Sequence, residues 1–137
     1  MAGKQMVNIL CRDDNMTDVI SQICLMPKDF KINGTKSMIQ LLKESGYFGL
    51  ESSITKDRII KFLLSHPNLV KDWEIYSSDR RSEGWYLLHE ESIWFVGYSG
   101  AQLSSYGRDK KYQFISAIEA CAFFIIKEVE HLAEHLT

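Results

Sequence analysis

Several residue types and patterns are scarce in this chain of 137 residues. Only two prolines and eight glycines occur, which argues against a disordered or linker-rich chain. The three cysteines are widely spaced and form no CxxC pair, so neither a disulfide framework nor a zinc knuckle is supported, and a reducing compartment fits best. The longest apolar run, 120–126, is far shorter than the roughly 18 residues that a membrane span needs.

The N-terminal segment has no long apolar stretch. The charged residues Arg12, Asp13 and Asp14 end the short apolar stretch near the N-terminus. We therefore expect neither a signal peptide nor a transit peptide. Together with the short apolar runs, this pattern predicts a cytoplasmic protein without a membrane partner.

The chain also has no large excess of either positive or negative charge. Sixteen basic residues face eighteen acidic ones, which gives a net charge of −2. A dedicated nucleic-acid binder would carry a basic excess. The excess acid lies in residues 112–137, where only Lys127 opposes Glu119, Glu128, Glu130 and Glu134. On an exposed helix these acids predict either a solvated face or a docking surface for a basic protein.

Signatures of catalysis are missing as well. The chain contains no glycine-rich phosphate loop and no G-x-S-x-G elbow. His131, Glu134 and His135 match the H-x-x-E-H pattern, but the second histidine falls on a turn expected to fray, and no further ligand follows it. We therefore expect no catalytic residue, metal or cofactor, and elimination favours a binding protein over an enzyme.

Two alternatives remain open from the residues alone. A small metal-dependent hydrolytic domain would use His131, Glu134 and His135. An RNA-binding module would use the basic and aromatic stretch from Arg108 to Tyr112, whose tyrosine stacks on bases while its cations pair with phosphates.

Helical spacing of apolar residues dominates the first half of the chain. It predicts a helix over 14–26 that Pro27 stops, a second helix capped by Thr35 and ending at Ser45-Gly46, and a third capped by Thr55 or Ser53. After Pro67 the spacing over 69–76 is again helical, although 73–75 fits the start of a strand as well.

The pattern changes to extended structure near residue 82. Residues 85–88 and 93–98 predict a hairpin joined at Glu90-Glu91-Ser92, a loop over 99–107 follows, and 112–115 predicts a third strand. Ser116 with Glu119 predicts a capping box for a long helix that is apolar nearly all round, in which Cys121 is interpreted as buried and inert.

These elements predict one α+β domain over residues 1–137. Its N-terminal helices precede a small antiparallel sheet of about three strands, and the sheet packs on the long C-terminal helix.

An order of aromatic and small residues in the second half resembles small bacterial immunity proteins, which are encoded beside polymorphic toxins, including those of contact-dependent growth inhibition. In that group a W-x-V-x-Y strand and a helix start with E-A-C-x-x-F-I recur together. The segments that carry the resemblance are Gly84–Leu87, Trp94–Tyr98, Phe114–Ser116, Ala117–Ile125 and Lys127-Glu128, preceded by a similar stretch over 66–81. It covers about residues 59–130, and the segment Ser99–Lys111 is longer than is usual in the group.

The resemblance implies a cytoplasmic protein that binds one cognate toxin C-terminal domain, commonly a nuclease, and blocks its active site or substrate access. Such a protein is a monomer or weak dimer with no chemistry of its own and no direct contact with nucleic acid. The basic cleft of a nuclease suits an acidic inhibitor face. The partner-binding residues that we predict are Glu90, Glu91, Tyr98, Tyr106, Arg108, Glu128 and Glu130.

Overall fold

A computed structural model describes residues 16–79, 84–99 and 111–134. Within these ranges six α-helices and a three-stranded antiparallel sheet form the α+β fold that the sequence predicts. The helices are α1 (16–24), α2 (Met26–Asn33), α3 (Met38–Ser45), α4 (Lys56–Ser65), α5 (Leu69–Asp79) and α6 (Ala117–Glu134), with a 3-10 turn at Glu51–Ser53. The strands are β1 (Gly84–Glu90), β2 (Ile93–Ser99) and β3 (Lys111–Phe114).

The predicted helix over 14–26 corresponds to α1, and a second helix that was not predicted, α2, follows it directly. A turn at Leu25 ends α1, and Pro27 lies in the first turn of α2 rather than after the last turn of a helix. The prediction that Pro27 stops the helical segment is therefore wrong. Proline lacks a backbone N–H, and the first turn of a helix is the place where that N–H has no intrahelical partner.

The cap of α3 also differs from the prediction. Ser37, not Thr35, is the N-cap, and its Oγ accepts a hydrogen bond from the Gln40 N–H at 3.1 Å. The predicted end of this helix is confirmed, since Gly46 takes the left-handed conformation with φ 91°. Both residues satisfy backbone groups that a helix end leaves unpaired.

The next two helices follow the sequence pattern closely. Thr55 caps α4, as predicted, and accepts a hydrogen bond from the Arg58 N–H at 3.3 Å. The ambiguous stretch after Pro67 is helical throughout, because α5 extends to Asp79. Trp73 on this helix is fully buried, and its indole N–H donates to the Cys24 carbonyl at 2.9 Å, which ties α5 to the end of α1.

The sheet has the order β1-β2-β3, with β1 and β3 at its edges. The predicted hairpin is confirmed, and its pairing runs from Gly84↔Ser99 to Glu90↔Ile93. The third strand is shifted by one residue from its predicted position, and Ile115 lies beyond it, 90% exposed. The predicted loop over 99–107 falls outside the described residues except for Ser99.

Helix α6 occupies the centre of the fold. The Ser116 Oγ accepts a hydrogen bond from the Glu119 N–H at 3.2 Å, which confirms the predicted cap. The helix contacts all three strands and also α3, α4 and α5. Because apolar residues surround most of this helix, it must be covered on more than one side, and the sheet and the N-terminal helices together provide that cover.

Candidate functional site

The two faces of the sheet meet different surroundings. Alternate residues of a strand point to opposite faces, and the strand register assigns each residue to one of them. The inner face, toward α6, consists of Trp85, Leu87, His89, Trp94, Val96, Tyr98, Tyr112 and Phe114. The outer face consists of Tyr86, Leu88, Glu90, Ile93, Phe95, Gly97, Lys111 and Gln113.

Aromatic side chains join the inner face to α6. Phe123 of that helix contacts both Tyr112 and Phe114, with ring centroids 4.6 and 5.4 Å away. Tyr98 lies edge-on against Trp85, and it also contacts His131 of α6 at a centroid distance of 5.6 Å. This face is therefore part of the core.

The outer face is apolar, and none of the described helices gives it such a cover. Leu88 and Ile93 are each 39% exposed, and Tyr86 and Phe95 are half-buried without packing against the core. Among the described helices, α6 lies on the opposite face. Apolar side chains that remain together on a surface are typical of an interaction site.

Two contacts involve the aromatic rings of this outer face, Tyr86 and Phe95. The ring of Tyr86 lies across its cross-strand partner Gly97, where an added Cβ would come within 2.6 Å of the tyrosine Cζ. The Lys111 ammonium lies 4.6 Å from the centroid of the Phe95 ring, a cation–π distance. The Tyr86 ring therefore lies close to the backbone of β2, and the Lys111 side chain lies over the Phe95 ring.

The β1–β2 hairpin projects beyond the core. Residues 88–93 are all exposed, including His89 on the inner side, although the strands remain paired as far as Glu90 and Ile93. At the tip, Glu91 has φ 56°, the only positive φ among the described non-glycine residues. A left-handed backbone costs a residue with a side chain about 1 kcal/mol, and two-residue hairpin loops favour Gly, Asn or Asp there.

An edge contact supports the base of this hairpin. The Leu87 N–H, on the outer edge of β1, donates to the Ser77 Oγ of α5 at 2.8 Å in a buried position. This bond satisfies a backbone donor that an edge strand otherwise leaves unpaired. Helix α5 thus closes this part of the edge, while the tip beyond it stays exposed.

Of the predicted partner-binding residues, Glu90 and Glu91 lie together at the exposed tip. Tyr98 lies on the inner face at the other end of β2, half-buried against Trp85 and His131. Tyr106 and Arg108 fall outside the described residues.

The prediction that Glu128 belongs to an exposed acidic face is wrong. Its side chain is completely buried, and Oε2 accepts a hydrogen bond from the Tyr76 hydroxyl of α5. Position 128 is one helical turn after Phe124 and therefore on the same buried side of α6.

Glu130 is exposed, as predicted. Its carboxylate lies 3.9 Å from the Lys127 ammonium. Burial, followed by the charges of Glu130 and Glu51, raises the pKa of Tyr47. Helix α6 meets Tyr98 at His131, near the end of β2 that is remote from the tip. Because that strand is about 20 Å long, Glu130 and the hairpin acids do not form one surface.

The residues considered for chemistry are dispersed. In the described ranges no three His, Cys, Asp or Glu side chains form a group able to hold a metal ion. His131 is buried, Glu134 is exposed, and His135 is outside those ranges. Burial raises the pKa of Cys24 to about 12 and that of Cys121 well above its usual range. Cys121 is completely buried, which confirms its interpretation as a core residue.

No family model, curated protein or solved structure matches this chain. Across the part that the structure describes, no helix combines the length and the apolar character that crossing a membrane requires.

The sequence-based reasoning missed the outer sheet face. The sequence feature that indicates this face is the run Ile93–Val96, which is apolar at every position. A strand with only one buried face would alternate apolar and polar residues. Both faces of β2 are therefore apolar, yet among the described helices only α6 packs on a face of the sheet, while α5 contacts the edge formed by β1.

Proposed function

We propose that this protein is an immunity protein, which binds a cognate toxin domain in the cytoplasm and neutralises it by blocking its active site or substrate access. The observation that carries the proposal is the apolar outer face of the sheet around Leu88, Ile93 and Phe95, which none of the described helices covers. A face of this kind serves binding rather than chemistry.

The segments that resemble immunity proteins support this proposal, because they lie together in the fold. Gly84–Leu87 begins β1, Trp94–Tyr98 is most of β2, and Ala117–Ile125 is the first half of α6. Val96 is completely buried within this unit. The resemblance therefore follows one packed hairpin–helix arrangement rather than residues scattered over the molecule.

The chemistry of the outer face also suits a protein partner. Aromatic residues such as Tyr86 and Phe95 bring large contact areas at a small cost in side-chain entropy, and polar groups such as Glu90 and Gln113 lie around them. The exposed carboxylates at the hairpin tip favour a basic partner, and nuclease clefts are basic because they bind phosphates.

Co-expression with the toxin domain encoded immediately upstream tests this function. We expect a stable 1:1 complex on size-exclusion chromatography and rescue of growth. The control is a catalytically inactive form of the toxin, which should bind equally well without needing rescue. Continued killing in cells that contain soluble, folded protein would rule the proposal out.

A further inference from the structure

We propose that the β1–β2 hairpin is the element that enters the toxin, and that its outer face and tip occupy a concave, basic cleft of that domain. This inference rests on the proposed function and adds the surface and the shape of the partner. Its starting point is the projection of residues 88–93, which are exposed on both sides of a hairpin that remains paired to its end.

The size of the outer face favours a concave partner. Two strands about 20 Å long and a third about 10 Å long, spaced about 4.8 Å apart, give a flat footprint of about 250 Å². A stable complex buries about 800 Å² on each partner. A flat surface, including a second copy of this chain packed face to face, therefore covers too little area. A cleft also contacts the tip and both sides of the hairpin.

The charges orient the hairpin in that cleft. Glu90 and Glu91 are exposed at the tip, whereas Lys111 lies at the opposite end of the outer face, over Phe95. Leu88 and Ile93 lie next to the acidic end. The partner surface that fits is therefore basic at the bottom of the cleft, where the tip arrives, and apolar along one wall.

The contact between α5 and the edge of β1 also favours binding of the toxin at the tip and outer face of the hairpin. Ser77 already pairs with the Leu87 N–H, so a partner strand cannot add to β1 at that position. The exposed part of the hairpin begins at the next residue, Leu88. The parts of the hairpin that a toxin can contact are therefore its tip and its outer face.

Binding of purified, inactive toxin domain to substituted proteins tests the inference. We expect Leu88→Lys with Ile93→Lys to weaken the Kd by about 100-fold, because both apolar contacts are replaced by positive charges that face an apolar wall of a basic cleft. Glu91→Lys should slow association about 10-fold at low salt and much less at high salt, since salt screens the attraction between charges.

The matched control is Leu64→Lys on α4, a leucine that is 65% exposed and belongs to neither the hairpin nor the outer sheet face. It should leave the Kd within about twofold of the parent, as substitutions outside an interface do. Circular dichroism of each variant, and protection of amides 84–99 against hydrogen exchange in the unsubstituted complex, separate a binding defect from a folding defect.

The outcomes distinguish the two proposals. If the unsubstituted protein does not bind the toxin, the proposed function fails. If it binds, but the hairpin variants bind equally well and amides 84–99 gain no protection, the function stands and the hairpin inference is overturned. Light scattering that shows a dimer disrupted by Leu88→Lys with Ile93→Lys would assign the face to a second copy and also overturn the inference.

Discussion

The two faces of the three-stranded sheet use the same strands and similar side chains, but they have different surroundings. On the inner face, Trp94 and Val96 are buried and Tyr112 packs on Phe123 of α6. On the outer face, Phe95 packs only beneath Lys111 among the described contacts, and Ile93 is 39% exposed.

Under the proposed function, one strand serves folding through one face and binding through the other. Because adjacent residues of β2 point in opposite directions, the core and the proposed interface interleave along the chain. A substitution at one position should therefore affect stability, whereas a substitution at the next should affect association. Four comparisons between substituted proteins test how complete this separation is.

The strongest test compares neighbouring aromatic residues. We expect Trp94→Ala to lower the free energy of unfolding by about 3–5 kcal/mol, because it removes a large buried side chain. Phe95→Ala should cost less than about 1 kcal/mol, as is usual for surface positions. Urea unfolding of both variants measures the difference. Equal losses would mean that both faces contribute to the core.

A second variant tests the edge contact at the base of the hairpin. Ser77→Ala leaves the buried Leu87 N–H without its acceptor, and we expect a loss of about 1–3 kcal/mol. Ser78→Ala is the matched control, since the Ser78 Oγ is exposed and donates to the Glu74 carbonyl of its own helix. Faster hydrogen exchange at Leu87 in the first variant alone would support this role. Identical unfolding curves for the two variants would contradict it.

A third variant asks whether the outer face contributes any packing of its own. Gly97→Ala places a methyl group against the Tyr86 ring, which must move, and we expect a loss of about 0.5–1 kcal/mol. In a Tyr86→Ala background the same change should be neutral or stabilising, because alanine is favoured over glycine within a strand by roughly that amount. A double-mutant cycle measures this coupling. Strict additivity would show that Tyr86 does not lie over Gly97.

The smallest effect is expected at the hairpin tip, and it has the opposite sign. Glu91→Asn should stabilise the fold by up to about 1 kcal/mol, because asparagine adopts a positive φ at lower cost than glutamate. A higher midpoint of thermal unfolding would confirm this. The control is Glu90→Asn, in a strand position without positive φ, where no gain is expected. A gain of the same size at both positions would attribute the effect to charge instead of backbone conformation.

The sequence predicts local features of this fold better than long-range ones. Thr55 and Ser116 are identifiable as caps because a cap depends on residues only three positions apart. At α3 the same reasoning assigned the cap to Thr35, whereas the observed cap is Ser37. Both hydroxyls precede the helix, and the backbone conformation determines which of them is the N-cap. Pro27 was assigned to the wrong end of a helix for a similar reason: proline is compatible with both a stop and a start.

The candidate site was predictable only in part. Glu90 and Glu91 follow from the hairpin pattern, and both are exposed as expected. Glu128 was not predictable as a buried residue, because α6 is apolar nearly all round and its pattern does not mark the side that faces α5. The partner hydroxyl, Tyr76, is 52 positions away. Contacts at such distances depend on how the elements pack, which residue spacing does not record.

The buried pair of Glu128 and Tyr76 has a consequence for the rotation of α6 about its own axis. A helix that is apolar on most sides gains similar hydrophobic energy in several orientations, so burial alone does not select one. Any rotation that separates Glu128 from the Tyr76 hydroxyl leaves a carboxylate in the core without that donor, at a cost of several kcal/mol. The pair therefore favours one rotation of α6 about its axis. The orientation of α6 in turn determines the orientation of the sheet packed on it.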